Sequence, residues 1–191
     1  VLYRRRIRDL VGHGEGIMGL MDAYAPDFTL APPSRLATIE QCCVEWRWRI
    51  KAWSHRLCQV HGDFHPWNVL FGADGTFHLL DRSRGAWGEP ADDLSAMTIN
   101  YILFSLRRYG GLAGPFQRLF QMFWGRYLSE TGDRQVLEAV QPFFAWRALV
   151  IANPTWYPSL EPGVRAALFH FIENLLSVDH FDPERINSYL A

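Results

Sequence analysis

Apolar positions recur three and four apart over most of the chain, as on one buried face of a helix, and give way to short strand-like runs at one central place. Trp46, Ile50, Trp53 and Leu57 mark such a face between Ser34 and Leu57. The stretch VLYRRRIRDLVGHGEGIMGLMDAY before it is set apart by APDFTLAPPS, whose Pro26, Pro32 and Pro33 disfavour helix. Later helices are predicted from Asp93, capped by that residue and stopped by Gly110 and Gly111, and over Pro115 to Leu128, Asp133 to Ile151 and Pro162 to Asp179. The turn-forming ANPTWYPSLEPG divides the last two. The exception to helical spacing is Val69 to Leu80, where NVLF and TFHLL flank GADG; these read as two strands of a hairpin turning at Asp74-Gly75. The predicted class is mainly α with a short β-hairpin, in one domain spanning 1–191.

Chemistry gathers at both ends of that hairpin. VHGDFHPWNVLF enters it and carries His61, Asp63, His65 and Asn68, and Asp81 ends its second strand. A hairpin set among helices lets these distant positions face one point, and loops on a rigid scaffold are frequent sites of catalysis. Asp63 is a candidate to orient a hydroxyl and take its proton. Asn68 and Asp81 offer the hard oxygen ligands that magnesium uses together with phosphates and water.

Composition adds limits. A formal net charge of -1 gives no general reason to expect nucleic acid or an anionic membrane as partner. Arg4, Arg5, Arg6 and Arg8 read as a solvated helix face. No apolar run approaches the ~20 residues of a membrane span. Cys42, Cys43 and Cys58 match neither a disulfide framework nor a zinc pair, so a soluble protein of the reducing cytoplasm is expected. GEGIMG formally matches a phosphate-cradling GxGxxG, yet no strand precedes it. Gly14, Gly16 and Gly19 are therefore assigned to a loop or to close helix packing.

The run His61-Gly62-Asp63-Phe64-His65-Pro66-Trp67-Asn68, followed by the hairpin, Asp81 and GEPADDLS, resembles the catalytic loop and metal-binding strand of the aminoglycoside phosphotransferase and choline kinase-like family, relatives of the protein kinases. The resemblance is firm over residues 60–96. It implies the C-terminal lobe of a kinase-like fold, α+β in its full two-lobed form, and transfer of a phosphoryl group from ATP or GTP to a hydroxyl of a small molecule: an aminoglycoside, choline or other amino alcohol, or a sugar. It gives Asp63 the catalytic role and Asn68 and Asp81 the magnesium. His61 and Asp93 become supports of the loop, with Asp93 capping its helix. Arg82 departs from the family, where an apolar or aromatic residue is usual; it can contact phosphate, pair with Asp92 or mark a weakened enzyme. His65 either faces the substrate or packs on Trp67.

The resemblance also implies a nucleotide-cradling N-terminal lobe with a phosphate-holding lysine. This chain begins at Val1 and has only Lys51, so that lobe is expected to be missing and the isolated lobe to be inactive. The acceptor stays open. Trp146, Trp156 and Tyr157 are candidates to bind it, since aromatic faces attract quaternary ammonium groups, and Glu161 and Asp179 could meet a cationic sugar. Two other classes compete. One is a noncatalytic binding module on the same scaffold. The other is a non-haem iron oxygenase using His61, Asp63 and a distant histidine such as His170.

Overall fold

The structure is a computed structural model. It describes residues 1–82 and 85–191; Ser83 and Arg84, within DRSRG, lie outside the described residues. The first three helices are α1 (Leu2–Gly12), α2 (Ile17–Asp22) and α3 (Pro33–Ile50). Proline suits the first turn of a helix because the amide it lacks would have no partner there, and Pro33 opens α3 in that way. The helix ends at Ile50, short of the expected Leu57. A 3₁₀ turn over Ser54–Arg56 follows, and Trp53 and Leu57 pack against the core from outside the helix.

Two small antiparallel sheets occupy the centre of the sequence. The expected hairpin is formed by β2 (Val69–Phe71) and β3 (Phe77–Leu79), with Val69 opposite Leu79 and Phe71 opposite Phe77. Its turn is closed by the Asp74 carboxylate, which accepts from the Thr76 amide and hydroxyl, and by Gly75 at φ 82°. The other sheet pairs β1 (Cys58–Gln59) with β4 (Trp87–Gly88). Two-residue strands carry no readable period, so no pattern of residues announces them. This second sheet closes the neck of the loop region: β1 leads into residues 60–68, β4 returns after Asp81, and Val60 donates to the Ala86 carbonyl at 3.0 Å.

The rest is helical: α4 (Pro90–Tyr109), α5 (Gly114–Thr131), α6 (Gln141–Ala152), α7 (Pro162–Leu176) and α8 (Ile186–Leu190). Helix α4 starts three residues before Asp93. Pro90 takes the first position and Glu89, whose carboxylate accepts from the Ala91 amide, caps it in place of Asp93. The expected helix from Asp133 to Ile151 is broken into a 3₁₀ turn (Arg134–Glu138) and α6, and Pro142, with no amide to donate, sits in the first turn of α6. Helix α6 is apolar on nearly every side and lies innermost, with Phe144, Ala145, Ala148 and Leu149 fully buried between α4 and α7. Among the described residues no helix is long and apolar enough to cross a membrane.

Of the arginines at the start, Arg4, Arg5 and Arg8 are exposed on α1 as read, whereas Arg6 is half-buried and donates to the Trp87 carbonyl at 3.2 Å. The glycine motif joins α1 to α2, two helices, and Gly16 and Gly19 are there for closeness. A Cβ on Gly19 would stand 1.9 Å from the Gly14 carbonyl oxygen, and one on Gly16 would stand 2.5 Å from that of Asp9.

Candidate active site

The loop from His61 to Asn68 is held from below by α4. Asp93, in the first turn of that helix, accepts from the His61 amide at 2.6 Å and the Gly62 amide at 2.8 Å. A carboxylate there also suits the positive end of the helix. Burial pushes the Asp93 carboxyl above its ordinary pKa, with the two amides pulling the other way. Gly62, at φ 89°, makes the tight bend that presents both amides to one carboxylate. His61 is buried, its Nδ1 accepts from the Asp63 amide at 3.3 Å, and its ring lies against Phe64.

Asp63 stands at the crown of this loop. Its Oδ1 accepts from Arg147 Nη1 at 2.9 Å, and its Oδ2 lies 3.8 Å from His65 Nε2. The same guanidinium donates through Nη2 to Asp92 Oδ1 at 2.7 Å, so Arg147 on α6 joins the loop to α4. Burial works against the Arg147 charge, but the carboxylates of Asp92 and Asp63 outweigh it and hold its pKa above the ordinary guanidinium value. Asp92, read from the sequence as a surface residue or a partner of Arg82, instead pairs with Arg147. Arg82 is exposed and donates to the Val60 carbonyl at 3.2 Å. His65 packs on Trp67, edge-on, which is one of its two expected roles, and also reaches Asn68 Nδ2 at 3.2 Å.

Asn68 is buried, and its amide nitrogen donates to the Asp63 carbonyl at 3.0 Å. With the nitrogen committed there, the Oδ1 oxygen is the atom left to act as a ligand; it accepts no hydrogen bond among the described residues. The Leu80 amide donates to the Asn68 carbonyl at 2.9 Å, which brings the exit of the hairpin beside the end of the loop. Asp81 follows at φ 52°, in the left-handed region, the one described non-glycine residue with positive φ. Aspartate tolerates that region better than most residues, and such backbone at a loop exit is a common mark of function. Asp81 is exposed and enters no ion pair among the described residues. One amide oxygen and one carboxylate suit magnesium, which keeps waters and phosphate oxygens as its other ligands. Among the described residues no three His, Cys, Asp or Glu side chains gather to hold a metal. The iron triad of His61, Asp63 and His170 is therefore not assembled, and His170 lies exposed on α7.

Arg147 lines one of two cavities near the loop, and its partners Asp92 and Trp146 line the other. One, of about 220 Å³, is lined by His65, Trp67, Asn100, Arg147 and Tyr157 among others. The other, of about 300 Å³, has Gly62, Trp87, Asp92 and Trp146 in its wall. The aromatic candidates are thus separated: Tyr157 and Trp146 line different cavities, and Trp156 lines neither. Trp146 stacks on the Arg147 guanidinium at 4.2 Å and donates to the Glu15 carbonyl at 3.0 Å. Glu161 and Asp179 are engaged elsewhere, with Arg107 at 3.3 Å and Arg49 at 2.8 Å.

Two features were missed in the sequence. Arg147 is a lone charge in the apolar run FFAWRALVI, and a charge inside a buried helix must be paired; that was the available signal. The other is a buried cluster in which Arg56 meets Glu89 at 2.5 Å and Asp133 at 2.7 Å, with the Tyr3 and Tyr127 hydroxyls donating to those carboxylates. It ties α1, the turn before β1, the start of α4 and the end of α5 together.

The model of the phosphotransferase enzyme family matches residues 18–139, well over half of the chain and all of the loop, hairpin and α4 start described above. The chain belongs to that family. Neither a curated protein nor a solved structure matches it. The match stops before α6, so for this member of the phosphotransferase family Arg147, Trp146 and Tyr157 are known from their positions in the structure alone.

Proposed function

We propose that the chain is the helical lobe of a magnesium-dependent phosphotransferase that moves the terminal phosphoryl group of ATP or GTP to a hydroxyl of a small molecule, an amino alcohol, aminoglycoside, choline or sugar. The observation that carries the reading is the Leu80 to Asn68 backbone bond of 2.9 Å, which sets Asp81 next to the loop that bears Asp63 and Asn68. Phosphoryl transfer needs little covalent chemistry from a protein; it needs positioning and charge compensation. Asp63 orients the acceptor hydroxyl and receives its proton as the phosphorus–oxygen bond forms. Asn68 and Asp81 would hold the magnesium ion, whose charge neutralises phosphate oxygens. Asp93 and His61 keep the loop backbone in place for that work.

A nucleotide-cradling lobe belongs to the proposal. Phe71, Phe77 and Leu79 leave one side of the hairpin with an exposed apolar face, the surface that such a lobe and a nucleotide base would cover. A cytoplasmic setting accords with three cysteines that form no disulfide.

The deciding experiment incubates the two-lobed protein with ATP or GTP, magnesium and a library of small alcohols and amines, and reads phosphorylated products by mass spectrometry. The expected result is one acceptor class whose product disappears in Asp63→Asn. Product formation that survives the substitution removes Asp63 from the catalytic role. Lack of any product, together with lack of magnesium-nucleotide binding, turns the reading to a noncatalytic binding module.

A further inference from the structure

Arg147 is the charged side chain of α6, and that helix is otherwise the apolar centre of the molecule. A guanidinium in such a place is costly unless its donors are used. Here Nη1 is given to Asp63 and Nη2 to Asp92, at 2.9 and 2.7 Å, and the flat face is stacked on Trp146 at 4.2 Å. The side chain is only 12% exposed, and Asp63 and Asp92 are 15% and 23% exposed. All three charges are thus largely out of water, where geometry decides whether they attract or repel. Without the arginine, two carboxylates on the loop and on α4 would be left close to one another with their shared cation gone.

We propose that Arg147 is the positioning residue for Asp63: by gripping Oδ1 from the rigid central helix, with Asp92 as its anchor, it fixes the direction in which the carboxylate meets the acceptor hydroxyl. This rests on the reading of Asp63 as the hydroxyl-orienting group. The backbone of the loop is already held by Asp93 and by the His61 ring, through amides of His61, Gly62 and Asp63. Those contacts fix where the Asp63 Cα lies. They leave rotation about its side-chain bonds to be settled, and from the central helix it is Arg147 that takes hold of Oδ1, at 2.9 Å. The lever is stiff because it starts on α6, whose Phe144, Ala148 and Leu149 have no freedom to shift. Misdirection of a reacting group by about 1 Å costs on the order of 10²-fold in rate. Arg147 also lines the 220 Å³ cavity next to His65, Asn100 and Tyr157, so the group that aims Asp63 is itself part of the wall the acceptor would pass.

The test compares Arg147→Gln, Arg147→Lys and Asp92→Asn with the parent in the two-lobed protein, each rate divided by the folded fraction seen in circular dichroism. Arg147→Gln is expected to lower kcat roughly 10²-fold while the nucleotide KM changes less than about twofold. Arg147→Lys, which can keep one of the two ionic contacts, should recover about tenfold of that loss. Asp92→Asn, which loosens the anchor and leaves Asp63 and Arg147 in place, should fall between the parent and Arg147→Gln. A purely structural arginine predicts something else: less folded protein, with unchanged kcat per folded molecule, and that result overturns the proposal. A crystal structure of Arg147→Gln supplies a readout independent of turnover. The proposal expects the Asp63 carboxylate to leave its position while the loop backbone stays, and a carboxylate that keeps its place overturns it. If the parent makes no product with any acceptor, it is the phosphotransferase reading that fails, and the crystal structure still decides whether Arg147 aims Asp63.

Discussion

At the scale of single residues, the proposed function gives each loop side chain a separable task, and the tasks predict different losses. Asp63→Asn removes the proton acceptor and keeps the shape, so turnover should fall roughly 10²-fold or more with nucleotide binding intact, as kinetics and nucleotide titration would show. Asp81→Ala should instead weaken the magnesium-nucleotide complex itself, seen as a rise in the magnesium needed for half-maximal nucleotide binding. Asp93→Ala leaves the His61 and Gly62 amides without their acceptor. The burial that raises the Asp93 pKa offsets part of what those bonds contribute, so about 2–3 kcal/mol of stability should be lost in urea unfolding. Faster hydrogen exchange confined to those two amides would show that the loss is local. His61, Asp63, Asn68 and Asp81 could be proposed from sequence because one loop and one hairpin set their spacing. Arg147 could not, because it lies 84 residues beyond Asp63 and only the packing of α6 brings them together.

At the scale of elements, glycines separate close packing from mere helix content. Gly19→Ala would drive a methyl into the Gly14 carbonyl, and the α1–α2 connection would have to open. The expected cost is about 1–3 kcal/mol, read as a lower urea midpoint. Gly125→Ala, in the middle of α5 with nothing near its Cβ position, should do the opposite and stabilise by about 0.5–1 kcal/mol. The hairpin was legible because strand runs and a turn signal agree over the same residues. The early end of α3 and the late start of α6 were not, since apolar spacing runs on through both breaks. Of the two roles expected of Asp93, the cap falls instead to Glu89 because α4 starts earlier than expected, and its carboxylate is left to accept from the loop amides.

At the scale of the whole molecule, the cluster of Arg56, Glu89 and Asp133 joins segments that are far apart in the chain. Arg56→Met strands the buried Glu89 carboxylate and cuts the tie between the turn before β1 and α4. A loss of about 3–5 kcal/mol in urea unfolding is expected, larger than for any exposed ion pair such as Arg126–Glu130. What the sequence by itself determined was local: helices from apolar spacing, a hairpin from strand runs and a turn, and the loop whose fixed intervals between His61 and Asn68 carry the family resemblance. Each of these depends on neighbours a few residues away, and such neighbours are written consecutively. The tertiary structure alone decided which charges meet. Arg147 with Asp63 and Asp92, and Arg56 with Glu89 and Asp133, are pairs whose partners are selected by the cost of burying a charge unpaired, and that cost exists only after the helices have packed.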